Sequence, residues 1–252
     1  MLNVTVDPSK IPALPFERSP GYWETVARRI ARDPVAIVAA LMILTLLVLA
    51  VFGPWLAPAD PYASSMLKRL KPIGFAGHPL GTDELGRDML TRLMVGTRLS
   101  LFMGITPAVL AFVIGSSIGI AAGSAGRWLN TMTLRTIDVF YAFPAVLLVI
   151  TLSGALGAGI TNSLISLTVV FIPPIARVAE SVTTQIRGRD FVEAARASGA
   201  NAFTIVRVHV LGNVLGPVFV YATSLIAVSM ILASGLSFLG LGVKPPEPEW
   251  GL

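Results

Sequence analysis

Arg187 to Asn213 read RGRDFVEAARASGANAFTIVRVHVLGN, one long polar segment set between apolar runs too long for a soluble core. Asp190 is a good helix N-cap residue, and Glu193 can reach back to it in a variant of the capping box. Gly199 suits the left-handed position just past a helix end. This pattern predicts a two-turn helix over Phe191–Ser198. Asn201 then caps a second helix leading into the next apolar run. Two turns are not stable alone in water, so this helix needs a surface to pack on. Ala194, Ala195 and Ser198 keep one side small enough for another protein surface to approach. The same features also fit a plain connection between membrane helices.

Working outward, the composition places the chain outside the soluble globular class. Of its 252 residues 54% are hydrophobic and 13% charged, with a mean hydropathy of +0.76. The absence of cysteine excludes disulfides and thiolate metal sites, and two histidines argue against a histidine-rich one. The net charge of +5 is spread between apolar runs, which fits membrane orientation better than nucleic-acid binding. The first apolar run starts near residue 35 behind a polar lead, which is not the layout of a cleavable signal peptide.

Met1–Arg32 reads as an irregular tail followed by a helix around Tyr22–Arg32, either interfacial, with Tyr22 and Trp23 at headgroup level, or simply solvated. Asp33-Pro34 is an N-cap followed by a first-turn proline, and Val35–Trp55 is a charge-free run long enough to span a bilayer. Ala57–Arg98 is the largest loop. Gly81-Thr82-Asp83 makes a turn there, from which Thr82 or Asp83 caps an amphipathic helix to about Arg98. Its apolar face is Leu85, Met89, Leu90, Leu93 and Met94, with Arg87, Asp88 and Arg92 facing elsewhere. Asp83, Glu84 and Asp88 lack the spacing of a calcium loop, and a capped surface turn is preferred to metal binding.

Leu99–Gly123 is the second predicted span. Gly115, Gly119 and Gly123 form overlapping GxxxG steps that let backbones approach closely, within this chain or against a partner. Arg127–Asp138 is expected as a polar loop, with Asp138 capping a third helix from Val139 to about Leu156, kinked at Pro144 and with Arg135 within reach of the cap. Ile160–Ile175 is expected as a span broken near Pro173-Pro174, continuing as Arg177–Ile186 toward the polar segment. Val214–Leu236 is the fifth span. Leu236–Val243 follows as a short helix or re-entrant turn stopped by Pro245, Pro246 and Pro248.

Glu193-Ala194-Ala195, then Gly199, Ile205 and Leu211, resembles the EAA loop of ABC-importer permeases. HPLGTDELGRDMLTRLMVGTRLSL (His78–Leu101), RTIDVFYAFP (Arg135–Pro144) and LSFLGLGVKPPEPEWGL (Leu236–Leu252) are similar to the C-type permease subunit of dipeptide, oligopeptide and nickel importers. The match runs from about Asp33 to the last residue. The resemblance implies an all-α polytopic membrane protein of the type I ABC importer fold. Residues 1–56 would form a cytoplasmic tail and first helix, 57–98 an extracytoplasmic loop, and 99–252 the transmembrane core, with the coupling loop near 187–213. Asp190, Glu193, Ala194, Ala195, Ala197 and Gly199 would dock the ATPase, and Gly115, Gly119 and Gly123 would pack helices. In the resembled family Arg135-x-x-Asp138 lies at the cytoplasmic start of a core helix. Leu211-Gly212 departs from the family's usual Leu-Pro and leaves that helix start less rigid. Members usually carry a sixth helix after a segment like Pro245–Leu252, so five spans imply a truncated or scaffold form as the alternative to an active transporter.

The implied partners are a second permease subunit, two cytoplasmic ABC ATPases, an extracytoplasmic substrate-binding protein and membrane lipid, with no nucleic acid. No cofactor is expected on this chain, since it has no Walker phosphate loop; ATP and magnesium would be used by the ATPases. With the N-terminus in the cytoplasm of a bacterial inner membrane, twelve of the nineteen Lys and Arg residues lie inside, the coupling loop among them. A proton- or sodium-coupled secondary transporter usually needs titratable groups mid-span, and the apolar runs offer none. His209 reads as an interfacial or capping residue. No paired carboxylates or triad suggest an enzyme. Peptides, nickel complexes, glutathione and small oligosaccharides all remain open as substrates.

Overall fold

The computed structural model describes residues 21–251, apart from the side chains of Tyr22 and Trp23. The expected irregular tail before Gly21 and the headgroup role of those two aromatics lie outside the described residues. The chain divides into two units, Met1–Leu46 and Leu47–Leu252. Among the described residues the secondary structure is helical, with isolated bridges in place of strands.

In the first unit, α1 (Tyr22–Ile30) carries an exposed Arg28–Glu24 pair at 2.9 Å. The helix α2 (Pro34–Leu56) begins there. Asp33 Oδ1 accepts from the backbone N–H of Val35 at 2.9 Å, and Pro34 takes the first helical position, where a missing N–H costs nothing. The most apolar window of α2 buries none of its residues, as suits a helix whose solvent is lipid.

The second unit is built on α3 (Met89–Ser124) and α6 (Ile160–Arg187). Added methyl carbons at Gly115 and Gly123 would come within 2.9 Å of the Ile172 carbonyl oxygen and 2.7 Å of Thr183 Cβ. One at Gly119 would collide with the Ala176 carbonyl oxygen. The three glycines therefore form the seam between two helices of this chain, where backbones touch because no side chain intervenes. Around it lie α4 (Arg127–Tyr141), α5 (Ala145–Leu156), the short α7 (Asp190–Ala197) and the helical stretch Ala202–Phe238. That stretch comprises α8 (Ala202–Thr204), a π-helical turn (Ile205–Val210) and α9 (Leu211–Phe238). Met103, Leu167, Ile175, Val214, Val218 and Leu236 fill the core. Ser229 Oγ ties α9 to α3 by donating to the Met103 carbonyl at 2.9 Å. Among the described residues four helices are long and apolar enough to cross a membrane, or up to five spans if α4 and α5 count as one broken span.

Several expectations are corrected here. The amphipathic helix and the second span are one helix of 36 residues, capped by Asp88 rather than by Thr82 or Asp83. Gly86 sits at φ +73, and the Asp83 carboxylate holds a tight turn by accepting from the N–H groups of Leu85 and Arg87, so no helix can start before Asp88. The faces are also reversed: Arg87, Asp88 and Arg92 are buried, while Leu85, Met89 and Leu93 are exposed. Arg127–Tyr141 is helix rather than polar loop, and Asp138 lies inside it instead of capping its successor. The kink expected at Pro144 is a break of 87° between α4 and α5, so Val139 to Leu156 is not one helix. By contrast α6 passes through Pro173 and Pro174 without breaking. The fifth span begins earlier than expected, because the π turn joins it to Ala202. Beyond Phe238 the chain forms a left-handed turn at Gly240, with the Leu241 N–H donating to the Leu236 carbonyl at 2.9 Å.

Candidate functional site

The polar segment folds as α7 followed by the Asn201-capped start of the last helical stretch. The cap is explicit: Asn201 Oδ1 accepts from the Thr204 N–H at 2.8 Å. Gly199 stands at φ +87, and the Ala200 N–H reaches the Ala195 carbonyl at 3.0 Å, the six-to-one bond of a Schellman ending. The start of α7 differs from expectation. Arg189 occupies the cap position and Asp190 is the first helical residue; neither makes a side-chain capping bond. The Asp190–Glu193 box is not formed. Both carboxylates instead lie in the first turn, where they favour the helix through its dipole.

One side chain anchors α7. Val192 is fully buried with Ile205 and Val210, and the Phe191 ring lies 6.1 Å from that of His209. Glu193, Ala194 and Ala197 are exposed, and Ala195 is half-buried. A cavity of about 370 Å³ lined by Ser124, Arg187, Arg196, Ala200 and Ile205 leaves the packing beside α7 incomplete. The helix therefore presents small alanines beside the exposed carboxylates of Asp190 and Glu193, on a base it touches through few residues.

The root of α7 is fixed more firmly. Arg187, the last residue of α6, donates through Nη1 to the carbonyls of Gly123 and Ala125 at 3.3 and 2.7 Å. A cation at the carbonyl end of α3 is where the helix dipole favours one. Glu180 is buried one seam position earlier and accepts from Asn130 Nδ2 at 2.6 Å and from the Thr184 hydroxyl at 2.9 Å. Sequence reasoning missed Glu180 and Asn130; the three- and four-residue spacing that places Glu180 on the face with Ala176, Ala179 and Thr183 was the available signal.

At the opposite end of α3 the loop 57–88 and the segment 244–251 enclose a charged cluster. Arg87 Nε donates to Asp83 Oδ2 at 2.6 Å, and Arg92 Nε lies 3.6 Å from the same oxygen. Arg92 Nη1 donates to the Pro246 carbonyl at 3.2 Å. His78 Nε2 faces the Lys68 ammonium at 3.3 Å, which can only donate, so the ring carries its proton on Nδ1 and gives it to Asp88 Oδ1 at 3.0 Å. Burial pushes the Asp83 carboxyl up, but the Arg87 and Leu85 hydrogen bonds more than offset this and hold it below its usual range. Asp88 is likewise held low, with burial outweighed by bonds from Thr91 and His78. Trp250 Nε1 donates to the Leu93 carbonyl at 3.1 Å and closes the strap. No cluster of three metal-ligating side chains is present among the described residues; Asp83 and Asp88 are committed to separate partners.

Arg135, expected within reach of Asp138, forms no ion pair with it among the described residues. Asp138 instead faces Arg177 of α6, with Oδ1 3.4 Å from Nη1.

Comparison with known proteins gives this geometry its context. Residues 115–252 match the family described as the binding-protein-dependent transport system inner membrane component. Residues 21–72 match the N-terminal transmembrane domain of oligopeptide transport permease C. A protein named as a peptide transport system permease of Brucella abortus biovar 1 is 39% identical over 225 residues, which are 89% of this chain and 75% of that one. The glutathione transport system permease protein GsiD of Pectobacterium atrosepticum is 36% identical over 229 residues, 91% of this chain and 76% of its own. Its namesake from Escherichia coli O1:K1 is 37% identical over the same length. The chain belongs to the family of inner membrane components of binding-protein-dependent transport systems, as a multi-pass transport permease.

Proposed function

We propose that this chain is the transmembrane permease of an ATP-driven importer for di- or oligopeptides, glutathione among them, or a related small solute such as a nickel complex. Its α7 is the coupling helix, and the end of α3 and α6 that carries α7, together with the N-terminus, faces the cytoplasm. The observation that carries this reading is the build of α7, with Val192 buried beneath and Glu193, Ala194 and Ala197 open above. A partner ATPase would cover that surface, with Glu193 facing a cation of the ATPase and the alanines allowing close approach. Two ATPases, a second permease and an extracytoplasmic binding protein would complete the assembly. ATP with magnesium would act on the ATPases, not on this chain. The helix is closed by the left-handed turn at Gly199, and its other end is tied through Arg187 to α3, so motion of α7 would be passed to the spans as a rigid shift.

The absence of cysteine allows a direct test. An Ala197→Cys variant expressed in the native host is treated with a short thiol-directed crosslinker, and the adduct is identified by mass spectrometry. The expected adduct is a nucleotide-binding ATPase. A cysteine labelled from the cytoplasmic side without any adduct overturns the coupling role, and labelling only from outside overturns the orientation.

A further inference from the structure

We propose that an anionic phospholipid binds beside α7, with its phosphate between Arg187 and Arg196 and one acyl chain in the groove between α3 and the start of α9. Two adjoining cavities carry the inference. The polar one, about 370 Å³, is lined by Ser124, Arg187 and Arg196. The other, about 440 Å³, is mostly apolar and follows α3 from Ala121 to Val113 and Phe112, with Leu211 and Leu215 on its far wall. Ser124 and Val206 line both, so the two make one recess with a charged mouth. The mouth is set for an anion. The Gly123 and Ala125 carbonyls hold Arg187 in place through Nη1, and neither arginine has a carboxylate partner among the described residues. Ser124 Oγ, at the junction of the cavities, is buried without a hydrogen-bond partner. A phosphate diester supplies both the missing charge and the missing acceptor.

The charge pattern of α3 bounds the depth of this recess. Residues 99–124 carry no charged side chain, a run of about 38 Å at ~1.5 Å per residue. A hydrocarbon core ~30 Å thick that excludes charges lies within that run and ends at most about 8 Å short of Ser124. Every such placement puts Phe112 and Val113 in hydrocarbon and Ser124 at the headgroup layer. Ser124 and Phe112 are about 18 Å apart along the helix, enough for the ~15 Å acyl layer of one leaflet. A membrane helix of another protein would fill the apolar part but leave both arginines and the Ser124 hydroxyl unmatched. A lipid satisfies both parts with one molecule. Arg196 belongs to α7, so the headgroup would also fasten that helix, which is otherwise anchored by Val192. The site depends on α3 spanning the membrane, not on the coupling role of α7.

The test uses the full chain with the subunits that copurify from its native host. It is reconstituted in phosphatidylcholine nanodiscs holding a small fraction of phosphatidylglycerol with a diazirine near the end of one acyl chain. After illumination, adducts on this chain are mapped by mass spectrometry. They should concentrate on residues 112–121 and 211–215. Unlabelled phosphatidylglycerol should compete them away, whereas further phosphatidylcholine should not. Arg196→Gln should raise the phosphatidylglycerol needed for half-maximal labelling about tenfold, the scale of one charge-assisted hydrogen bond. Arg187→Gln should weaken labelling as well, but Arg187 also ties α6 to α3, so the exposed Arg196 is the deciding position. Labelling spread evenly over the spans, equal competition by phosphatidylcholine, or labelling unchanged in Arg196→Gln overturns the site. Displacement by inorganic phosphate alone overturns the lipid and assigns the arginines to a free anion. No adduct in either stretch also overturns it and gives the groove to a helix of another chain.

Discussion

At one end of the α3–α6 pair, Asp83, Arg87, Asp88 and Arg92 are enclosed by loop and strap, and their charges are matched within the chain. At the other end, α7 shows its carboxylates and alanines to the outside and is held by one buried valine. The first end behaves as a folded domain would, pairing its charges with one another. The second leaves them exposed. Charge alone does not mark a working surface; charge left without an internal partner does.

The largest expected effect falls at the closed end. Asp83→Ala removes the carboxylate between two arginines that are 9% and 6% exposed. Stranding such charges costs about 3 kcal/mol, read as a loss of unfolding free energy in detergent. Asp83 and Asp88 are both held below the ordinary carboxylate value of 3.8, so their contribution is fully present above that pH. It is lost as pH falls through the lower folded-state values. Wild type should therefore weaken below about pH 4, and Asp83→Ala should show a shallower acid loss. An unchanged acid profile would mean that the cluster is not the pH-sensitive part.

The open end should respond locally. Val192→Ala removes the anchor of α7 at a cost of about 2 kcal/mol. Faster hydrogen exchange is expected from Asp190 to Ser198, with the amides of α3 unaffected. If α3 loosens as well, α7 is part of the core and the contrast between the ends fails. A smaller loss, about 1 kcal/mol, is expected for Gly199→Ala, because φ +87 suits glycine and strains alanine. Its signature is exchange at Gly199 and Ala200, with Val192 still protected.

The same contrast explains what the sequence made legible. Asp33, Gly199 and Asn201 were readable because caps and left-handed endings are local, settled by a few neighbouring residues. The apolar runs of α2, α3 and α6 were readable from length. The face of Met89–Arg98 was not, because amphipathic reasoning assumes water outside; Leu93 faces outward here, and Arg92 turns inward to meet Asp83 and Pro246. The Asp138 partner was missed for another reason. Arg135 was near in sequence, but the bend at Pro144 and the crossing of α4 over α6 bring Arg177 instead. Glu180 was hidden inside Arg177–Ile186, read only as a continuation toward the polar segment, whereas the seam continues past it to Thr183.

The smallest effect separates two readings of one residue. If Asp190 capped α7, its oxygen would accept from backbone N–H groups, Asp190→Asn would preserve the function, and Asp190→Ala would cost about 1 kcal/mol at any salt concentration. The structure places Asp190 at the first helical position without such a bond. Its contribution is then the interaction of a charge with the helix terminus, about 0.5 kcal/mol at low salt. Asparagine and alanine should be equally deficient, and the deficit should fade as salt screens the charge. Hydrogen exchange of α7 amides at two salt concentrations reads the difference. If Asp190→Asn matches wild type at both, the capped form is populated, and α7 starts one residue later than its backbone now shows.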